Sequence, residues 1–339
     1  MSQMGMWVRM AVLGAAGAGL VACGGGSGSS SSSDDGGTGQ MSLAVTDAPV
    51  DSAERVVVRF THVELQPADG ERITIEFDEE DEENSVREID LLALQGEDSE
   101  FLFEDEEVTA GDYSWIRFHL EPEEGASAPP LSNYATSSFI EFVGGYSENL
   151  TIPGGLQAGL QLSSGFSVPE DGAVSLTVDF DLRKAIREDP RFEDYHRMRR
   201  SLRLVDNDTA GSITGTVDPA LLPDGYTCED RGEDGVEACP GAAVYVFEGE
   251  DREPVDLRDT EDDAITTANV EYRHVEEDGD WEYRYTAGFI EPGDYTVALT
   301  FEADEDDPEE ETPIDFVDQA NATVEAGETT EVDFTGSDD

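Results

Sequence analysis

The strongest constraint on the fold is a strict alternation of apolar and polar side chains. In residues 174–181 (VSLTVDFD) every second residue is apolar, and residues 281–287 (WEYRYTA) alternate in the same way. Successive side chains of a β-strand point to opposite faces, so both segments predict strands with one buried face.

Ten further segments have the same short, apolar character, and clusters of Gly, Pro and Asp separate them. Only residues 182–188 favour a short helix. We therefore expect an all-β protein built from antiparallel β-sandwich modules. The ten segments are residues 42–46, 56–65, 73–77, 113–120, 198–205, 213–217, 242–247, 267–275, 295–301 and 331–334.

The length of 339 residues and a turn-rich segment at residues 206–211 (DNDTAG) indicate two such modules. We place the first at residues 41–208 and the second at residues 209–335, followed by an acidic tail at residues 336–339.

A repeated sequence motif supports two related modules. Gly-Asp-Tyr occurs at residues 111–113 and again at 293–295, and a valine-to-glycine turn followed by Val-Asp-Phe lies downstream of each copy. Gly-Asp-Tyr suits a tight turn that begins a strand. Two short motifs in the same order favour a duplicated module, although each can also recur by chance.

The N-terminus has the parts of a secretory signal. Arg9 precedes an apolar run at residues 10–20, which is too short to span a bilayer, and Leu-Val-Ala-Cys ends at Cys23. This ending resembles a bacterial lipobox, which implies a signal peptide at residues 1–22 and a diacylglycerol on Cys23. Gly24 after the cysteine resembles the pattern sorted to the outer membrane. The alternative is a cleaved signal whose cysteine is incidental.

Residues 23–40 then form a Gly/Ser-rich linker with no apolar periodicity. Such a chain does not recover the entropy of ordering, so we expect a flexible tether that holds the folded part away from the membrane.

The chain is strongly acidic, with 80 Asp and Glu against 19 Lys and Arg and a formal net charge of −61. Phosphate binding needs a basic footprint, so nucleic acid is excluded as a partner. We favour adaptation to high salt, which screens self-repulsion. The alternative is calcium binding at acidic runs such as residues 78–83 and 304–311, but neither has EF-hand spacing, and we interpret both as solvated loops. The sequence thus predicts no metal site and no cofactor, with calcium as the one alternative.

Two cysteines remain besides Cys23. In an exported chain Cys228 and Cys239 favour a disulfide around a polar loop. Two cysteines alone do not form a structural zinc site, and the four histidines lie far apart in sequence.

Eight of the 19 basic residues fall within residues 183–203. On the predicted final strand, Arg197, Arg199 and Arg203 would project to one side and offer a row of guanidinium groups to a carboxylate, sulfate or phosphate ligand. The alternative is that these arginines pair with Asp179, Asp181 or other carboxylates across strands. We favour this structural alternative.

No GxSxG, HExxH, CxxC or phosphate-loop motif is present, and neighbouring carboxylates are inevitable at this acid content. We therefore predict no enzymatic activity and a non-catalytic binding or structural module, whose partner is a surface protein or an anionic glycan. The alternatives are a surface hydrolase that acts on polysaccharide or peptide, in which Tyr134 or Tyr146 stacks on sugars, and a calcium-dependent adhesion module.

Several segments carry family resemblances. SLAVTDAPVDSAERVVVRFTHVEL, EIDLLALQG, AGDYSWIRFHL and VDFDLRKAI are similar, in order, to bacterial lipoproteins with domain of unknown function 4382. GSITGTVD, AAVYVFEG, GFIEPGDYTVAL and ATVEAGETTEVDF resemble the carboxypeptidase regulatory-like, transthyretin-type sandwich. The resemblance implies a lipid-anchored cell-envelope protein with two β modules. It brings no established activity that transfers to a residue.

Overall fold

A computed structural model describes residues 37–48, 53–77, 85–126, 129–230, 235–258, 260–275 and 280–336. The fold is all-β, as predicted. Within these ranges the helical structure is limited to one α-helical turn, α1 (Leu182–Ala185), and three 3-10 turns at Leu91–Ala93, Leu131–Asn133 and Pro219–Leu221. The predicted signal peptide, Cys23, nearly all of the linker, the acidic run at residues 78–83 and the end of the acidic tail lie outside the described residues.

The first β module (residues 37–206) has two sheets and one core. One sheet has the strand order β14-β11-β1-β5, and the other has the order β10-β6-β2-β7-β8-β13-β12, with β3 and β4 on β2 and β9 on β6. The strands are β1 (Thr38–Ala48), β2 (Ala53–Pro67), β3 (Ile73–Glu76), β4 (Arg87–Asp90), β5 (Glu100–Thr109), β6 (Gly111–Leu120), β7 (Ala135–Phe142), β8 (Tyr146–Thr151), β9 (Leu160–Leu162), β10 (Phe166–Val168), β11 (Ala173–Asp181), β12 (Ile186–Glu188), β13 (Tyr195–Met198) and β14 (Leu202–Asp206).

The alternating residues of both sheets meet in the core of this module. Phe60, Phe118 and Phe180 are buried there and contact one another edge to face, with ring centroids 5.6–6.0 Å apart. This geometry is favourable for aromatic pairs and contributes beyond the apolar area that the rings bury.

The second β module (residues 211–336) has one continuous sheet of order β21-β20-β17-β18-β19-β15-β22, with β16 on β17. Its main core includes Val244, Tyr285, Val297 and Phe334. The strands are β15 (Gly211–Val217), β16 (Glu229–Asp230), β17 (Val236–Glu248), β18 (Thr266–His274), β19 (Trp281–Ile290), β20 (Gly293–Thr300), β21 (Phe316–Val324) and β22 (Thr329–Glu331).

The two modules share part of their strand pairing, although the first has two sheets and the second has one. The first strand of each module pairs parallel with a strand near its end (β1 with β11, β15 with β22) and antiparallel with another (β1 with β5, β15 with β19). The runs β2-β6-β10 and β17-β20-β21 also correspond. This order supports the interpretation of a duplicated module. Whether the modules are separate domains stays a prediction, since residues Gly36–Asp339 form one compact unit.

The Gly-Asp-Tyr motifs occupy equivalent places in this repeat, at the starts of β6 and β20. The Tyr113 hydroxyl donates to Thr109 O at 2.6 Å, and the Tyr295 hydroxyl donates to Glu291 O at 2.7 Å. Each tyrosine is buried and fixes the turn four residues upstream. This contact resembles the tyrosine corner of other β-sandwiches.

Four expectations about the strands were wrong. The strand expected at residues 331–334 is β22, which ends at Glu331. Residues 198–205 are not one strand, because the chain leaves β13 at Met198 and enters the other sheet as β14 at Leu202. The helix at residues 182–188 is a single turn, and its second half is β12. The sheets are also not wholly antiparallel, because β1–β11, β8–β13 and β15–β22 pair in parallel.

Candidate functional site

Most of the basic side chains between residues 183 and 203 lie where the two modules meet, a region we call the junction. Five of the eight reach atoms of the second module, and the acidic loop at residues 304–311 supplies two of their partners. The five are Arg183, Lys184, Arg187, Arg197 and Arg203.

Arg183 is the most buried of these residues, with 3% of its surface exposed. Its guanidinium donates to Ala303 O at 2.7 Å, to Asn269 Oδ1 at 3.0 Å and to Thr267 Oγ1 at 3.4 Å. A buried guanidinium is tolerated only when its N–H groups find acceptors. Arg183 therefore fixes the position of the second module relative to α1.

Lys184, the only lysine of the chain, follows in the same helical turn. Asp181 begins this turn, and its Oδ1 accepts from Lys184 N at 3.1 Å. The Lys184 ammonium lies 2.9 Å from Asp181 Oδ2 and donates to Ala264 O of the second module at 2.7 Å. Burial acts to lower the pKa of Lys184, but the Asp181 carboxylate outweighs it and raises the pKa.

Arg203 bridges the modules at the start of β14. It donates to Asp179 Oδ2 at 2.7 Å and to Phe289 O at 2.5 Å. Phe289 has a φ of 52°, a conformation that bulky residues rarely adopt and that persists only when the surroundings hold it. Burial raises the pKa of Asp179, an effect that the Arg203 charge opposes and the Asp181 charge reinforces.

The acidic loop at residues 304–311 is not simply solvated, contrary to expectation. Asp306 is buried and accepts from the Tyr245 hydroxyl at 2.8 Å. Asp307 lies 3.5 Å from Arg187 Nε, and Glu309 pairs with Arg197. Carboxylates of the second module thus neutralise cations of the first, which reduces the repulsion that the net charge imposes on this region.

The backbones of the two modules also touch. A Cβ atom on Gly288 would lie 2.1 Å from Gly96 O, so only glycine fits at this contact. Beside it lies a cleft of about 460 Å³, lined by Thr46, Asp47, Asp98 and Asn269 among others.

Asp47 is a buried carboxyl group beside this cleft. It is 5% exposed, and the Leu182 N–H and the Arg183 charge act to lower its pKa. Burial and the nearby charges of Asp179 and Asp181 raise its pKa well above the usual range, which favours the neutral acid.

The predicted row of Arg197, Arg199 and Arg203 does not form. Arg197 lies on β13 and Arg203 on β14, in different sheets, and each has a carboxylate partner. The structural alternative, with Arg203 on Asp179, describes this arrangement. Arg199 instead lies with Lys184, Arg200 and Ser201 around a hollow of about 260 Å³, which we call the basic hollow.

The other candidate residues have separate surroundings. Cys228 and Cys239 form a disulfide. The Arg191 guanidinium lies 4.5 Å from the centre of the Tyr134 ring, whereas Tyr146 is 57% exposed at the β7–β8 hairpin.

Within the described ranges, no group of three or more His, Cys, Asp or Glu side chains is arranged to hold a metal ion. No helix in the same ranges is long and apolar enough to cross a membrane.

Sequence reasoning found the basic cluster but missed its partners, Phe289, Ala303, Asp307 and Glu309. The acidic run was visible in the sequence, but nothing in a run of like charges indicated that it faces a basic segment more than 100 residues away.

A family model described as "Domain of unknown function (DUF4382)" matches residues 38–196. Residues 38–196 are thus similar to this family, in agreement with the resemblance seen in the sequence, whereas the carboxypeptidase regulatory-like resemblance of the second module stays a prediction. No curated protein matches the chain.

Several solved structures show a distant likeness. The Bacillus anthracis TIE protein has 10% identity over 88% of this chain and 34% of its own, with a TM-score of 0.18. The minor pilin GBS52 of Streptococcus agalactiae has 9% identity over 87% and 94%, at 0.17, and the fimbrial anchor protein Mfa2 from Porphyromonas gingivalis has 13% over 78% of each chain, at 0.17. The chain spans about a third of the TIE protein. At such TM-scores the likeness carries no inference about function.

Proposed function

We propose that the chain is a lipid-anchored protein of the bacterial cell envelope, whose folded part has a non-catalytic structural or binding role. The sequence at Cys23 supports the anchor, and Gly24 after it favours the outer membrane. The Cys228–Cys239 disulfide fits a chain that folds in an oxidising compartment outside the cytosol.

The observation that carries the structural role is the use of basic residues at the junction. The chain has few cations, and five of them hold the two modules together through directional contacts with carbonyl and carboxylate oxygens. Each of these contacts has a defined geometry, because a buried guanidinium or ammonium group is tolerated only where its N–H groups meet acceptors. The two modules therefore act as one rigid body.

Expression of Cys23→Ser in the source bacterium tests the anchor. The wild-type chain should take up labelled palmitate and fractionate with membranes, and Cys23→Ser should lose both properties. The control is the double variant Cys228→Ser/Cys239→Ser, which removes the other two cysteines and should keep label and membrane association. A Cys23→Ser chain that remains labelled would overturn the anchor.

The basic hollow favours a second role, the binding of an anionic group. Arg199 and Arg200 bring two cations to one hollow beside Lys184, whose charge Asp181 balances, in a chain with a net charge of −61. Guanidinium groups bind carboxylate, sulfate and phosphate oxygens through paired hydrogen bonds. A sulfated or uronic acid-containing surface glycan is the ligand class that fits best.

Binding of a sulfated polysaccharide and its desulfated form to the full chain tests this role. Arg199→Gln/Arg200→Gln should weaken binding of the sulfated form by at least about tenfold, which corresponds to about 1.4 kcal/mol. Arg72→Gln/Arg252→Gln, which changes two partly exposed arginines outside the lining of the hollow, is the control for the loss of two charges. Equal loss in the control would mean that only overall charge matters. Equal binding of the desulfated form would exclude anion recognition.

Turnover is the result that would overturn a non-catalytic role. Hydrolysis of a polysaccharide or peptide by the full chain, abolished by one carboxylate substitution, would restore the hydrolase alternative. Loss of partner binding on chelation, restored by calcium alone, would favour the calcium-dependent adhesion module.

A further inference from the structure

A second surface lies on the β18–β19 hairpin of the second module. Tyr272 pairs with Tyr283 across the strands, and His274 pairs with Trp281, so all four side chains occupy one face. The Tyr272 ring centre lies 4.5 Å from that of Tyr283 and 5.1 Å from that of Trp281. We call this row the aromatic ladder.

The aromatic ladder extends along the hairpin beyond the buried core of the second module. Val270 and Tyr285 on the same two strands are buried, whereas Tyr272 and Tyr283 are half-buried and Trp281 is 38% exposed. A ligand that covers such an exposed aromatic side chain removes apolar surface from water, and this burial makes the free energy of binding more favourable.

Trp281 and Tyr283 form one wall of a hollow of about 280 Å³, which we call the acidic hollow. Val217 and Phe334, both buried, contribute an apolar base. The charged side chains of the lining are Asp218, Glu282 and Asp333, and Glu282 lies 3.4 Å from Arg284, which is outside the lining.

Asp218 and Asp333 each accept hydrogen bonds through one carboxylate oxygen, Oδ1, and these bonds hold the side chain in place. Asp333 Oδ1 accepts from Thr216 N at 2.7 Å and from Thr216 Oγ1 at 2.8 Å, and Asp218 Oδ1 accepts from Ala220 N at 2.8 Å. No hydrogen bond from the described residues reaches Oδ2 of either side chain. The hollow therefore presents oriented acceptor oxygens beside aromatic rings.

We propose that the acidic hollow binds the guanidinium group of an arginine side chain on a partner polypeptide. A planar guanidinium stacks on Trp and Tyr rings and donates in pairs to carboxylates, and the apolar part of an arginine side chain suits the base formed by Val217 and Phe334. Asp218 and Asp333, which have no basic partner among the described residues, favour a positive occupant over a neutral sugar, because a sugar desolvates the charges without neutralising them. The site is independent of the proposed function.

Fluorescence anisotropy of a labelled peptide with one central arginine, titrated with the full chain at high monovalent salt, tests the proposal. The salt suppresses unspecific attraction to the acidic surface. A peptide with citrulline in place of arginine has the same shape without the charge and should bind at least about tenfold more weakly.

Variants of the chain locate the site. Trp281→Ala and Asp333→Asn should each weaken binding of the arginine peptide by about tenfold, and the Asn side chain keeps an oxygen that accepts from Thr216. Tyr146→Ala and Glu106→Gln remove an exposed aromatic ring and an exposed carboxylate of the first module and should leave binding unchanged. Thermal unfolding of each variant shows that it is folded.

Several results would overturn the proposal. Equal binding of the arginine and citrulline peptides would exclude recognition of the cation. Equal binding of a lysine peptide would make the hollow a general cation site. Binding of a neutral oligosaccharide that depends on Trp281, without binding of the arginine peptide, would make it a sugar site. Binding insensitive to Trp281→Ala would place the peptide elsewhere.

Discussion

Arg203 Nη2 donates to Asp179 Oδ2 at 2.7 Å, and Asp179 is 3% exposed. The carboxylate end of this ion pair is buried, whereas the Arg203 side chain is partly exposed. Loss of the arginine therefore leaves a charge in the interior, whereas loss of an exposed pair leaves both groups in water.

We expect Arg203→Ala to lower the free energy of unfolding by about 3–5 kcal/mol, the usual result of stranding a buried charge. Urea unfolding of the full chain measures this change. The control is Arg197→Ala, whose partner Glu309 is 40% exposed, and it should cost about 0–1 kcal/mol. Equal losses in the two variants would show that burial of Asp179 does not decide the effect.

Asp47 makes stability fall as the pH rises. Burial and neighbouring carboxylates raise its pKa in the folded chain, so the folded state keeps a proton that the unfolded state loses above about pH 4. Stability from this group is complete below the unfolded pKa and decreases as the pH rises toward the folded pKa. Asp47→Asn removes the ionisation and should be more stable than the wild type at pH 8, with a smaller difference at pH 5.

Urea unfolding at several pH values between about pH 5 and pH 8 measures the Asp47 effect. Glu106→Gln, which removes an exposed carboxyl on β5, controls for the change in net charge. A wild type and Asp47→Asn that respond to pH with the same slope would contradict the prediction.

The two buried tyrosines of the repeat should make similar contributions. Tyr113→Phe and Tyr295→Phe each remove one hydrogen bond to a backbone carbonyl and should each lower the free energy of unfolding by about 1 kcal/mol. Tyr146→Phe, at an exposed position, should change it by less than about 0.5 kcal/mol. Unequal costs for the two buried tyrosines would argue against equivalent roles in the two modules.

The disulfide closes a short loop. Cys228 and Cys239 are 11 residues apart, and the loss of unfolded-state entropy on closing such a loop stabilises the folded chain by about 2–3 kcal/mol. The double variant Cys228→Ser/Cys239→Ser should therefore unfold at lower urea concentration, as should the reduced wild type. No change in either would mean that the pairing of β16 with β17 alone keeps the loop closed.

The acidic surface should make the chain more stable in salt. Sodium and potassium chloride should raise the melting temperature gradually and to the same extent, because screening depends on ionic strength and not on the cation. Millimolar calcium should add nothing beyond its ionic strength. A saturable rise with calcium that a chelator reverses would favour specific calcium sites.

The alternation of residues was sufficient to locate most central strands, including β11 and β19, because one face of each is buried. It missed β5 (EFLFEDEEVT), which lies at the edge of a sheet and has acidic residues on both faces. Few of its side chains are buried, so the sequence does not have to alternate between apolar and polar residues. It also merged β13 and β14, because nothing in the local sequence marks the passage from one sheet to the other at residues 199–201.

The junction was less predictable than the strands. Arg183 and Ala303 are 120 residues apart, and Arg197 and Glu309 are 112 apart, so no local pattern links them. Three of the bridging contacts also use backbone carbonyls, which every residue has and which leave no trace in the sequence. The aromatic ladder was partly visible, since residues 281–287 were expected to share a face, but its exposure depends on how far the hairpin extends beyond the core.

The parallel pairing of β1 with β11 determines how the first module bears mechanical load. Nine residue pairs from Gln40↔Ala173 to Ala48↔Asp181 join the two strands side by side in the same direction. Force that pulls the start of β1 away from the end of β11 acts along the two parallel strands and loads them in shear. All of the backbone hydrogen bonds between the strands then resist together and do not open one after another. Force applied between these two points therefore meets all nine residue pairs at once.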